Sequence, residues 1–307
     1  MPIALQETLR AVFYAPFYAA LKRGAFSTEG VEVSFVTSPS PDQAPDGLMN
    51  GTIDVGWGGP LRVILTRERN PGLDLVCFCE VVTRDPFMLV GRAPRPKFDL
   101  ADLVRLRLGS VSEVPTPWIC LQDDLRRAGI DPSAVPRVAN DTMAGNIAAL
   151  ARGDLDVIQL FEPHVEELVQ SGAGHVWWAA ADRGPTSYTT FYARRQALDV
   201  RSDELLRLVR AIVRTQKWMP TQDDAAIAAI IQDFFPSVPH ARLAGAIARY
   251  RRLGIWGRDP YLPRGGFDRL RGACLSGRIV QTAPTWEQAV DMRLAERVIA
   301  ENPAALS

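Results

Sequence analysis

The chain is predicted to be an α/β protein of two lobes, each a mixed, mostly parallel sheet flanked by helices, with a helical C-terminal region. Three observations predict this. Residues 48–55 (LMNGTIDV) and 150–157 (LARGDLDV) share the pattern L-x-x-G-x-[IL]-D-V. In each copy the Gly suits a left-handed helix stop, and the apolar pair after it suits a buried parallel strand. The elements upstream of each copy also recur in the same order, at a period near a hundred residues. That is too long for a solenoid unit and suits two lobes of one plan, with loops opening at the carboxyl ends of the strands. Finally, 307 residues of which 47% are hydrophobic can bury two cores.

The elements follow in order. A short apolar strand is expected at 9–13, then the loop Tyr14-Ala15-Pro16-Phe17-Tyr18 and a helix closed by Gly24. The first repeat ends in Trp57-Gly58-Gly59-Pro60, and an apolar strand is expected over 73–82. Residues 85–92 read as a strand opened by Pro86 that crosses between lobes, and 93–96 as a surface turn. In the second lobe a strand at 106–111 leads into the loop 112–118, and the helix after it closes at Gly129. Residues 188–193 have strand composition and carry the chain back. Helices are expected from Ser202 through Lys217, over 223–234 and 239–253, and as one long helix from Thr285. Residues 1–90 plus about 190–307 form the first lobe, and 91–189 the second.

Composition narrows the function. With 35 basic and 35 acidic residues, nothing draws the chain broadly to nucleic acid or membrane. Only Lys22, Lys97 and Lys217 are lysines. No apolar run approaches the ~20 residues that span a bilayer. The start, MPIALQE, lacks a basic region followed by an apolar one. The expectation is a periplasmic protein whose export signal has been removed, or else a cytoplasmic one. Cys77, Cys79, Cys120 and Cys274 read as buried small hydrophobes, and the three histidines do not fall at metal-ligand spacing with them. No metal or cofactor is expected, and a monomer is.

Several stretches carry a resemblance: Tyr14-x-Pro16-Phe17-Tyr18-Ala19-Ala20 with Gly24, Glu29-Gly30-Val31-Glu32-Val33, and residues 48–59. The others are Asp85-Pro86-Phe87-Met88-Leu89, the Ser112-Glu113 loop, residues 153–163, and 250–256 with 287–291 in the tail. With these the chain resembles the substrate-binding proteins of nitrate, sulfonate and taurine ABC importers and their relatives that bind thiamine pyrimidine precursors. The resemblance implies the type 2 periplasmic-binding-protein fold. It also implies a small-molecule ligand clasped between lobes by hinge closure, and an ABC permease as partner.

The cleft set follows from the loops. Tyr14 and Phe17 offer aromatic faces to a flat ligand, or staple the helix to the sheet. Trp57, Gly58 and Gly59 follow the first repeat's strand, where glycines let backbone N–H groups approach an anion. Ser112, Glu113 and Thr116 form the matching loop of the second lobe, donating to ligand or capping the helix. Glu162 follows the second repeat's strand, and either accepts hydrogen bonds, with Glu113, from an amine or aminopyrimidine or is a solvated loop acid. Tyr188, heading the returning strand, completes the set. Asp54 and Asp156 read as structural caps. Arg62 and Arg84 are the nearest cations for a carboxylate or sulfonate. The rival reading is an enzyme, since some relatives with this fold make the thiamine pyrimidine from pyridoxal phosphate and a histidine of their own, and others cleave or decarboxylate small acids. Those carry an Asn-x-x-His opening and a dense cysteine run. Here the opening offers Tyr14, and Cys77-Phe78-Cys79 is a sparse pair, so no catalytic residue is assigned.

Overall fold

The computed structural model describes residues 1–37 and 43–307. Ten strands form two five-stranded sheets among the described residues. The first sheet has the order β2-β1-β3-β10-β4, with β1 Ile3–Glu7, β2 Val33–Thr37, β3 Val55–Gly58, β4 Leu75–Val82 and β10 Thr189–Arg194. The second has the order β7-β6-β8-β5-β9, with β5 Met88–Gly91, β6 Leu108–Val111, β7 Arg137–Asp141, β8 Val157–Leu160 and β9 His175–Ala179. In both, the first three strands are parallel and the fourth is antiparallel to its neighbours.

The sequence repeat is therefore a structural one. Gly51 (φ 76°) and Gly153 (φ 84°) both stop their helices in the left-handed region, where a Cβ would be strained. Asp54 Oδ2 accepts from the Ala4 N–H (2.8 Å), and Asp156 Oδ2 from the Arg107 N–H (2.8 Å). Each Asp thus ties the start of a repeat strand to the strand beside it, as caps do.

Around the first sheet lie α1 (Ala15–Lys22), α2 (Ala25–Thr28), α3 (Gln43–Asn50) and α4 (Leu61–Arg69). Around the second lie α5 (Thr116–Arg127), α6 (Met143–Arg152) and α7 (His164–Gln170). Then come α8 (Arg195–Val200), α9 (Ser202–Trp218), α10 (Asp224–Ile231), α11 (His240–Leu253) and α12 (Arg264–Ser276). The chain closes with α13 (Trp286–Ala289) and α14 (Arg293–Glu301). α9 and α10 cover α1, whereas α11 packs on α7 and α12 on α5, so the tail braces both lobes.

Four expectations need correction. The first strand is Ile3–Glu7; residues 9–13 instead turn into the cleft and begin a 3-10 turn at Val12. β5 pairs with β8 and β9, so residues 88–90 lie in the second sheet and the crossover is 83–87. α12 went unread. The last helix is also broken: Val290 is extended (φ −131°) and the Asp291 N–H donates to the Cys77 carbonyl (2.9 Å), which peels three residues off the helix onto β4.

The crossovers 83–87 and 180–188 are joined to each other and to the tail. The Tyr188 N–H donates to Val82 O (2.8 Å) and the Thr186 N–H to Thr83 O (2.9 Å). On the other side the Thr83 N–H donates to Ile255 O (2.8 Å) and the Gly257 N–H to Val81 O (2.9 Å). The hinge is thus three backbone segments thick. Arg183 locks it with charge, donating to Asp85 of the first crossover (2.6 Å) and Asp124 of α5 (2.8 Å), and Arg269 of α12 also reaches Asp124 (3.2 Å).

Candidate functional site

Between the lobes lies a cavity of about 30 Å³. Thr8, Leu9, Phe13 and Tyr14 reach it from the loop after β1, and Gly59, Leu61 and Arg62 from the β3–α4 junction. Val114 and Thr116 line it from the β6–α5 loop, Phe161 from the end of β8, and Tyr188 from the second crossover. The carboxyl ends of strands from both sheets therefore meet here. The N-terminal ends of α4 and α5 also converge, each bringing backbone N–H groups and the positive end of a helix dipole.

The walls are aromatic. Phe13 meets Phe161 edge to face at 5.4 Å and Tyr188 at 5.7 Å. Tyr14 is 2% exposed, and burial pushes its phenol and that of Tyr188 upward, so both stay neutral donors. Thr8 donates to the Trp57 carbonyl, and glycine makes room for it: a Cβ on Gly58 would lie 2.3 Å from Thr8 Oγ1. Gly59 lets the backbone close against Tyr188, whose carbonyl would stand 3.1 Å from a Cβ there. A volume of about 30 Å³ holds about two water molecules, so the described state is shut.

Of the residues singled out from sequence, Tyr14, Gly59, Thr116 and Tyr188 line the cavity, as does Arg62. Others lie elsewhere. Phe17 and Trp57 are fully buried, stacked on each other at 4.4 Å with Phe35 on the far side of Trp57 at 5.3 Å. They form the floor of the first lobe, because β3 alternation turns Trp57 into the core. Gly58 is buried against Thr8 and Tyr192. Ser112 is exposed, with its N–H on Asp141 O (3.0 Å). Glu113 accepts from the Met143 N–H (2.8 Å), which caps α6.

Glu162 departs furthest from expectation. It is fully buried, accepts from the Glu166 N–H (2.8 Å) and pairs with Arg249 of α11 at 2.5 Å. Its own N–H donates to the Tyr250 hydroxyl (2.9 Å). Arg249 also meets Glu166 at 2.7 Å. The carboxylate therefore fastens the tail to the second lobe.

Thr8, Leu9, Phe13, Leu61, Val114 and Phe161 were not read as site residues. For Phe161 a signal existed: 102 residues separate the repeats, which sets Phe161 at the place of Gly59. Both line the cavity, one from each lobe. Thr8 carries none, since it precedes the apolar run 9–13 that reads as the first strand.

Comparison with known proteins agrees with this architecture. The family model described as NMT1/THI5 like matches residues 13–226. YtlA, a candidate binding protein of Bacillus subtilis (strain 168), is 25% identical over 302 residues, 97% of this chain and 90% of that protein. The periplasmic aliphatic sulphonate binding protein SsuA of Escherichia coli superposes with a TM-score of 0.76 at 17% identity, covering 94% of this chain and 96% of that one. The desulfurization enzyme DSZB gives 0.67 at 15% identity, covering 98% and 100%. Such distant structures share the fold, the two-lobed one of periplasmic binding proteins. With more than half its length matched by the family model, the chain belongs to the NMT1/THI5-like family.

Proposed function

We propose that the protein is a substrate-binding protein that closes two lobes over a small organic molecule and presents it, in the periplasm, to an ABC importer. One observation carries this reading: a single cavity is lined from both sheets and from a crossover, so closing the lobes completes the site. The relatives named above as binding proteins support it.

The lining also bears on the ligand. With Glu162 engaged by Arg249, the acid that would have welcomed an amine is removed from the cleft. The walls offer hydroxyl groups on Tyr14 and Thr116, two helix N-termini, and Arg62, the Thr8 proton being held by the Trp57 carbonyl. These favour a ligand with an anionic head, a sulfonate or carboxylate, and a flat or apolar body against Phe13, Phe161 and Tyr188. Thermal shift and calorimetry against alkanesulfonates, arylsulfonates, carboxylates and aminopyrimidines test this. A ligand at a hundred times its Kd adds about 2.7 kcal/mol of stability. The expected hit is an acid recovered unchanged, with Thr116→Val weakening it about ten-fold. A hit confined to aminopyrimidines would overturn the anionic reading, and a consumed ligand would overturn the binding-protein reading.

An enzyme on this fold is the second reading, because the desulfurization enzyme DSZB is a structural neighbour. The thiols argue against a cysteine nucleophile. All four are buried, those of Cys77 and Cys274 are pushed up to about 12, and none lines the cleft cavity among the described residues.

A further inference from the structure

Behind the hinge is a second, larger cavity of about 550 Å³, which shares no lining residue with the cleft. Thr83 and Arg84 of the first crossover and Pro185 of the second form one wall. The stretch after α11 forms the other, with Trp256, Arg258, Asp259 and Tyr261. At its base sits Glu80 of β4, 2% exposed, whose Oε1 has no hydrogen-bond partner among the described residues. Beside it the fully buried Ser187 hydroxyl stands within reach of the same carboxyl, on a backbone held in the left-handed region at φ 41°. A buried acid with one oxygen left unpartnered, beside a strained residue, costs stability, and such features gather where something binds.

The charges around the cavity narrow the occupant. Two acids, Glu80 and Asp259, and two cations, Arg84 and Arg258, line it together with the rings of Trp256 and Tyr261. Asp259 accepts from the Tyr261 N–H (2.9 Å) and Arg84 reaches Ala181 O (3.4 Å). Arg258 is exposed, with no ion-pair partner among the described residues. A plain anion would meet Asp259, and a plain cation would meet both arginines. A molecule carrying both charges satisfies the whole set.

We infer that this hinge-side cavity is a second ligand site, taking a small amino-acid-like zwitterion with its ammonium on Glu80 and its acid group toward Arg258. The occupant would span the first crossover and the tail. Burial pushes the Glu80 carboxyl up to about 8, so at neutral pH it is largely protonated. An ammonium docked on it favours the carboxylate, and the displaced proton leaves to solvent.

The test is titration calorimetry of the intact chain with the common L-amino acids, each repeated in two buffers of different ionisation enthalpy. Butylammonium, acetate and magnesium chloride serve as single-charge probes. At least one amino acid should bind with proton release. Its affinity should fall about ten-fold or more in Glu80→Gln and in Arg258→Ala, and hold in the cleft variant Thr116→Val. The Gln keeps the shape of the protonated acid, and Arg258 is exposed, so neither change threatens folding. Absence of binding across the amino acids would overturn the proposal. So would loss in Thr116→Val with Glu80→Gln unchanged, which assigns the amino acid to the cleft. Binding of butylammonium or magnesium as tight as that of any amino acid would overturn it too, marking a simple cation site.

Discussion

A carboxyl group that folding raises from 4.5 to about 8, as at Glu80, makes stability depend on pH with a definite sign. Between those values the folded chain holds a proton that the unfolded chain has released, so unfolding becomes easier as pH rises. Urea unfolding at about pH 5 and about pH 8 should show the wild type losing roughly 3 to 4 kcal/mol more than Glu80→Gln over that span. An equal loss in both would mean that Glu80 does not titrate there. Residues differ in how far sequence reveals them. Asp54 and Asp156 were legible as caps because the repeat showed them twice, each beside the Gly it follows. Glu162 was not, because the partner that decides its role, Arg249, lies 87 residues on. Arg62 was legible as a cation near the cleft, though not as part of its lining.

At the scale of elements, the first sheet packs as it does because one face of β3, at Gly56 and Gly58, is bare. A Cβ on Gly56 would stand 2.5 Å from the Tyr192 ring, which β10 lays across it. The ring is fully buried and cannot swing aside. Gly56→Ala should therefore destabilise the chain by about 1–3 kcal/mol, read as a fall in the urea midpoint at unchanged slope. A midpoint within error of wild type would show that the sheet yields there. Helices and strands ending in a glycine stop were legible before the structure, as was the return strand near 188. β1 was not, because Gln6 and Glu7 give its end a polar look. Glu7 is nevertheless buried, held by Arg10 (2.6 Å) and the Tyr18 hydroxyl (2.8 Å). α12 hid behind Gly265 and Gly266, poor helix formers whose segment is held by packing on α5.

For the whole molecule, the shut cleft sets the kinetics. About 30 Å³ cannot admit an organic acid, so the lobes must part before ligand enters, against the Asp85–Arg183–Asp124 lock and a hinge three segments thick. Stopped-flow tryptophan fluorescence should show a binding rate that levels off as ligand rises, the plateau being the opening rate. A rate climbing linearly with a slope near 10⁷ M⁻¹s⁻¹ (roughly) would mean an open resting form. The interleaving of the sheets has a further consequence, for synthesis. β10 stands between β3 and β4, so a chain leaving the ribosome from its N-terminus holds the first sheet in two pieces until residue 194 has emerged. The second sheet lacks nothing once residue 179 is out. The half of the protein translated first is thus the half finished last, and throughout that interval the bare flank of β3 waits for its neighbour.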